Sequence, residues 1–198
     1  MSYWFPRLYD HLMGPLEQKK FRRIREKLIG KAKGKVLEIG SGTGINFPLY
    51  DQADQVVAIE PEPLMLKQSL NRIRQAKIPI EVIEAGGEQL PFADHVFDTV
   101  VVTLVLCTIP NPLKALQEIR RVCKVDGQIL LFEHVKIDHQ VLGSLQDWLT
   151  PVWKRLCDGC CLNRDTIHYI KEAGFKIHSI EKYYKGIFIT IEARNQYY

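Results

Sequence analysis

The segment VLEIGSGTG, residues 36–44, is an apolar run that ends at Ile39 and passes at once into a turn with glycines at Gly40, Gly42 and Gly44. Glycine lets a chain turn sharply and lets a ligand come against the backbone with no Cβ in the way. A dinucleotide fingerprint places its third glycine three positions after the second, whereas here the interval is two. An acidic residue, Glu38, stands near the end of the run, and Glu60 closes the next one, VVAIEPEP. A carboxylate in that second position can accept from both hydroxyls of a ribose, since it has two acceptor oxygens.

Outward from this turn, short β-branched runs alternate with helical patterns. KVLEI and VVAIE are followed by a helix at LMLKQSLNRIRQA, then PIEVIE, FDTVVVTLVL, a helix at PLKALQEIRRVC, and QILLFEHV. Alternating β and α elements predict right-handed crossovers and a mainly parallel sheet covered by helices on both faces. A helix-rich insert over Gln140 to Leu156, a further helix near Arg164 to Ala173, and two closing strands follow. The strands, KIHSIEKYY and GIFITIEAR, are joined by little more than Lys185 and Gly186, which predicts an antiparallel hairpin. Ligands in open parallel sheets sit beyond the carboxyl ends of the strands, where the strand order reverses.

Composition sets the outer limits. A chain of 198 residues, 46% apolar and 25% charged, suits one soluble domain and no second one of ordinary size. The net charge of +4 is concentrated in KKFRRIREKLIGKAKGK, residues 19–35. No aromatic or base-reading element accompanies that run, which argues against nucleic acid as a partner. Its ordinary reading is a solvated helix face; the alternative is peripheral contact with an anionic membrane through a basic N-terminal helix. Five cysteines are an odd set, and MSYWFPRLYD has neither a basic n-region nor an apolar h-region, so reduced thiols and a cytoplasmic location are expected. No stretch approaches the roughly 20 apolar residues needed to cross a bilayer.

The glycine turn with Glu38 and Glu60 resembles motif I of the class I S-adenosylmethionine-dependent methyltransferases. The resemblance implies a Rossmann-like, seven-stranded, mainly parallel sheet with a C-terminal antiparallel hairpin, and S-adenosylmethionine as cofactor. It implies that Glu38 lies near the methionine ammonium and Glu60 at the ribose. EAGGEQLPFADHVFD, residues 84–98, looks like the stretch that runs from the adenine site to the fourth strand. Many members carry an aspartate where this chain has Gly86, so backbone contacts from Gly86 and Gly87, with Glu88 as a substitute acceptor, are expected for adenine. Thr103 and Leu104 would face the methionyl portion.

Further stretches narrow the resemblance. VTLVLCTIPNP, ALQEIRRV, FEHV and PVWKRLCDGCCLNRDT look like the animal methyltransferase-like proteins that methylate small thiols at the endoplasmic reticulum and lipid droplets. Those proteins begin with a membrane anchor, whereas YDHLM here is similar to soluble bacterial relatives, in which Tyr9 and Met13 would close over the cofactor. The expected organisation is one domain, with residues 1–33 as lid and helix and residues 138–163 as a helical insert on the substrate side.

Methyl transfer is an in-line displacement on carbon, so the protein must align the acceptor, exclude water and help remove the acceptor's proton. A thiol needs only modest help, because its ordinary pKa is about 8.5. His134, after the fifth strand, is the candidate general base; its alternative role is to orient the Gln140–Leu156 helix by hydrogen bonding. Asp158 is the second catalytic candidate. Trp148 and Trp153, with Leu145, Leu149 and Val152, would roof an apolar acceptor pocket. Cys157 and Cys160 have C-x-x-C spacing with His168 downstream, but a structural zinc site needs a second pair, so no metal is expected. The leading acceptor is a small lipophilic thiol, followed by a lipid amine or quinone-like hydroxyl. The rivals are a nicotinamide-dependent oxidoreductase and a non-catalytic module.

Overall fold

In the computed structural model, which describes residues 20–157 and 159–196, the alternation becomes a seven-stranded sheet. Its strands are β1 (Gly34–Ile39), β2 (Ala53–Ile59), β3 (Ile80–Ile83), β4 (Phe97–Thr103), β5 (Cys123–His134), β6 (Lys176–Tyr183) and β7 (Phe188–Arg194). They lie in the order β3-β2-β1-β4-β5-β7-β6. The first five pair in parallel, and β7 runs antiparallel between β5 and β6, so the predicted hairpin is present. The order reverses between β1 and β4, which opens a crevice beyond their carboxyl ends.

Successive side chains on a strand face opposite sides, and the core follows that period. Leu37, Ile39, Val100, Val102, Ile129 and Leu131 share one cluster with residues of α3 (Pro112–Val122) and α5 (Thr166–Glu172). Val36, Val101, Leu130 and Phe132 point the other way, against α1 (Arg22–Ile29) and Ile73 of α2 (Pro63–Gln75). Strands buried on both faces read as continuous apolar runs, which is why the parallel part was legible in the sequence. Each crossover helix starts on a signal the sequence carries: Pro63 and Pro112 stand at the first turn, and Glu62, Asn111 and Asp165 accept from backbone N–H groups of Leu64, Lys114 and His168.

One strand is shorter than expected. The apolar run FDTVVVTLVL does not continue as strand through Leu106; β4 ends at Thr103, and Leu104 takes a φ of 58°. The cause is Glu133, whose buried Oε1 accepts from the N–H groups of Val105 (3.0 Å) and Leu106 (3.1 Å) and so bends the chain across the end of β5. The basic run presents the expected solvated helix face at Lys20, Arg22, Arg23 and Lys27, with one exception. Arg25 is 2% exposed, while Arg22, Lys27 and Lys31 pair with Glu26, Glu181 and Glu192.

The insert helix, α4 (Gln140–Leu156), is held by polar contacts. Gln146 donates to the carbonyls of Val135 and Leu162 and accepts from the Ile137 N–H, and Lys136 pairs with Asp147. The apolar residues do not form a buried roof: Trp148 is 74% exposed, and Leu145, Leu149, Val152 and Trp153 are also exposed. Among the described residues, no helix is long and apolar enough to cross a membrane. Tyr9, Met13 and Asp158 lie outside the described residues.

Candidate active site

The glycine turn closes over the end of β1 through backbone hydrogen bonds. Ser41 N–H donates to the Ile59 carbonyl at 3.0 Å, and Gly44 N–H to the Ser41 carbonyl at 2.8 Å. The three glycines are needed for different reasons. A Cβ at Gly40 would stand 2.5 Å from the Val105 side chain, and one at Gly44 would stand 2.5 Å from the Phe47 ring, so both positions are fixed by packing. At Gly42 the backbone is left-handed, φ 55°, and a Cβ would meet nothing within 4 Å among the described residues. That space lies directly over the turn, and a ligand there would touch the backbone.

Glu60 borders the same space. Its Oε2 accepts from Gly42 N–H at 2.8 Å and its Oε1 from Glu62 N–H at 3.1 Å, so the carboxylate ties the end of β2 to the turn. Each oxygen keeps a further lone pair. Burial raises the Glu60 pKa, against the two N–H donors that lower it. Ser41 Oγ is buried there with no hydrogen-bond partner among the described residues. An open cradle at Gly42, a carboxylate with spare acceptor capacity and an unpaired hydroxyl fit the ribose and methionyl parts of S-adenosylmethionine.

Beneath the turn, Glu38 is fully buried. Its Oε1 accepts from Asn46 Nδ2 at 2.8 Å and its Oε2 from the Tyr50 hydroxyl at 2.9 Å. Burial pushes its pKa up to about 7, opposed by Asn46, Tyr50 and the nearby Arg25 guanidinium. Arg25 Nη1 donates to Asn46 Oδ1 (3.0 Å) and Thr103 Oγ1 (2.8 Å), and Asn46 Nδ2 reaches Thr103 Oγ1 at 3.0 Å. Glu38 and Thr103, expected at the cofactor, therefore belong to one buried network that ties β1, β4, α1 and the turn together.

One strand further out, Gly86 leaves open space beside a groove lined by Ile83, Glu84, Glu88 and Lys114. Gly87 is packed instead: a Cβ there would crowd Ile39 and Ile109 at 3.2 and 3.3 Å. Glu88 accepts from Asn111 N–H at 2.8 Å and so fixes the start of α3.

The other side of the crevice is built by the ends of β4 and β5. Leu104 N–H donates to the Phe132 carbonyl at 2.7 Å, which brings the 104–108 turn against His134. Cys107, His134 and Cys160 offer ligand-type atoms that all lie within 4.8 Å of one another. His134 is 7% exposed, and neither ring nitrogen has a hydrogen-bond partner among the described residues. It therefore does not orient α4 by hydrogen bonding; Gln146 holds that helix. Burial lowers the His134 pKa to about 4, so the imidazole is neutral at pH 7. The hydrogen bond shared with Cys160, and then burial, push the Cys107 thiol up, while Cys160 is lowered by that bond and by one from Trp153.

Several of these residues escaped the sequence reading. Arg25 carried a signal, because it falls on the apolar stripe Phe21, Ile24, Leu28, Ile29 of a helix. Glu133 did too, as a lone acid in the continuous run ILLFEHV. Asn46, Tyr50 and the meeting of Cys107 with Cys160 carried none, since nothing in local spacing brings those segments together.

Sheet order and glycine turn together define a Rossmann-like fold with an open crevice at the switch point. The family model of a methyltransferase domain matches residues 37–131. The human thiol S-methyltransferase TMT1B is 34% identical over 190 residues, covering 88% of this chain and 78% of its own length. The phosphatidylethanolamine N-methyltransferase of Cereibacter sphaeroides is 28% identical over 141 residues, covering 70% and 69%. A solved S-adenosylmethionine-dependent methyltransferase from Aquifex aeolicus superposes with a TM-score of 0.67 at 18% identity, covering 96% of this chain and 97% of that one, a likeness of fold alone. This chain belongs to the class I S-adenosylmethionine-dependent methyltransferases and is an enzyme of that kind.

Proposed function

We propose that the enzyme methylates a small lipophilic thiol, with His134 as the group that takes the thiol proton. The observation that carries the proposal is the His134 ring: buried, neutral and, among the described residues, without a partner for either nitrogen, at the end of β5 beside the turn that follows β4. The neutral imidazole keeps a lone pair that can take a proton, while the burial that keeps it neutral also weakens it as a base. The name of the human relative, a thiol S-methyltransferase, supports the same acceptor class.

S-adenosylmethionine, when bound, supplies a methyl group on a positively charged sulfur, an activated leaving group. The chain's own residues do the rest. Gly42 gives the ligand backbone contact, and Glu60 accepts from the ribose hydroxyls while holding the turn. Glu38 acts from below, placing its carboxyl group toward the methionine ammonium and fixing the turn through Asn46 and Tyr50. Gly86 takes the adenine edge by its backbone. The turn at Thr103 and Leu104, held by Arg25 and by Glu133, sets the distance between cofactor and acceptor. Residues 138–163 form the acceptor side, where the apolar residues of α4 and Trp153 beside Cys160 favour a lipophilic molecule.

A screen of alkyl and aryl thiols, primary amines and phenols, read by formation of S-adenosylhomocysteine, tests the reading. Thiols should turn over and amines should not. Turnover of amines or phenols with thiols inert would sink it.

A further inference from the structure

The thiol reading uses the lone pair of His134 but leaves Cys107 and Cys160 without a role. Two cysteines and a histidine drawn from three separate segments, with their ligand atoms within 4.8 Å of one another, form a cluster that no helix or turn periodicity produces. Cys107 belongs to the turn after β4, His134 ends β5, and Cys160 lies in the loop beyond α4. The loops are tied: Cys161 N–H donates to the Cys107 carbonyl at 2.9 Å, which holds Cys160 against Cys107. The histidine is 7% exposed, with both nitrogens unpaired among the described residues, an expensive arrangement for two polar atoms unless something binds there.

The geometry points to a buried site for a single thiophilic divalent cation of the zinc class, bound by the sulfurs of Cys107 and Cys160 and one ring nitrogen of His134. Zinc takes sulfur at about 2.3 Å and imidazole nitrogen at about 2.0–2.1 Å in tetrahedral sites, which puts ligand atoms roughly 3.3–3.8 Å apart. Binding would draw ligand atoms that now lie within 4.8 Å of one another closer by about 1 Å at most. On binding, each cysteine gives its thiol proton to solvent, and two thiolates with one divalent cation leave the buried site neutral. Three protein ligands leave a fourth position open, and the half-buried Cys160 gives the ion a way in. The pair the sequence singles out, Cys157 and Cys160 with His168, is not the one assembled: His168 is on the exposed face of α5, 3.4 Å from Glu172.

The consequence for turnover rests on the proposed role of His134. A nitrogen that binds the cation cannot accept a proton, so a metal-loaded enzyme should not methylate thiols. Full-length protein, stripped of metal and titrated with Co(II), is expected to bind one equivalent, with sulfur-to-cobalt charge transfer in the near ultraviolet and tetrahedral visible bands. Cys160→Ser and Cys107→Ser should each abolish the bands while circular dichroism shows a folded protein, and Cys157→Ser should retain them. Thiol methylation should fall as the bands grow. No stoichiometric bands, or bands that survive Cys160→Ser and vanish in Cys157→Ser, overturn the site. Bands with undiminished methylation leave the site standing and overturn the role of His134 as base.

Discussion

Gly42 and Gly44 lie two residues apart in the same turn, and they should fail in different ways when a methyl group is added. At Gly42 the added Cβ meets no atom of the described residues within 4 Å, and the remaining penalty is the left-handed backbone at φ 55°. That conformation costs an L-residue about 1–2 kcal/mol, offset by about 0.4–1 kcal/mol because alanine restricts the unfolded chain. Gly42→Ala should therefore lose roughly 1 kcal/mol of stability, a fall of about 2–4 °C in Tm for a chain of this size. At Gly44 the same strain is joined by a contact of 2.5 Å with the fully buried Phe47 ring. Overpacking of that kind costs about 1–3 kcal/mol, so Gly44→Ala should lose roughly 2–4 kcal/mol in total. Binding should rank the opposite way. The methyl group at Gly42 occupies ligand space, and a tenfold or greater loss of affinity for S-adenosylhomocysteine, about 1.4 kcal/mol or more, is expected from a nearly intact fold. Gly42→Val should abolish binding. Urea unfolding followed by circular dichroism, with calorimetric titration on the same samples, separates the two effects. A folded Gly42→Ala that binds S-adenosylhomocysteine as the parent does would refute the placement of the ligand over the turn.

Four further outcomes follow from the same geometry. Arg25→Met removes the cation from a buried network and should cost about 3–5 kcal/mol, read by denaturant unfolding; a change under about 0.5 kcal/mol would mean that Arg25 is no more important than a surface cation. Glu133 has its pKa raised by burial from 4.5 to about 7, so its contribution to stability is fully present below pH 4.5 and lost as pH rises through about 7. Glu133→Gln should flatten that decline, by up to about 3 kcal/mol between the two limits, and unfolding curves of parent and variant with the same slope would contradict it. Glu60→Ala should weaken S-adenosylmethionine binding by roughly 1–3 kcal/mol, checked by calorimetry with the fold verified, and unchanged affinity would remove Glu60 from the site. His134→Ala should slow thiol methylation about 10²- to 10⁴-fold at neutral pH with near-parental cofactor affinity. The deficit should shrink as pH passes the thiol pKa of about 8.5; a deficit that persists there with a lower melting temperature would mean that His134 serves packing instead.

The core of the fold was legible because its information is local. An apolar run buried on both faces, a glycine turn, and helices opened by Glu62-Pro63 and Asn111-Pro112 can each be recognised from a few neighbouring residues. Where the reading slipped, a distant residue overrode a local preference. Leu104, Val105 and Leu106 are good strand formers, but the Glu133 carboxylate takes the N–H groups of Val105 and Leu106 and turns the chain. The apolar spacing of α4 signalled a buried face, yet its contacts come through Gln146 and Lys136 and its tryptophans remain exposed.

By itself the sequence determined the class of fold, the place of the glycine turn and the acidic residue that closes the second strand, since each depends on the order of residues along a few turns of chain. Only the tertiary structure decided which glycine faces open space, because Val105 and Phe47, the side chains that crowd Gly40 and Gly44, reach them through the fold. It also decided that Glu38 and Thr103 share a network with Arg25, and that His134 meets Cys107 and Cys160 while Cys157 and His168 do not complete a site with them. Those meetings join residues up to 78 positions apart, and they follow from strand order and crossover handedness, which bring the carboxyl ends of β1, β4 and β5 to one edge of the sheet.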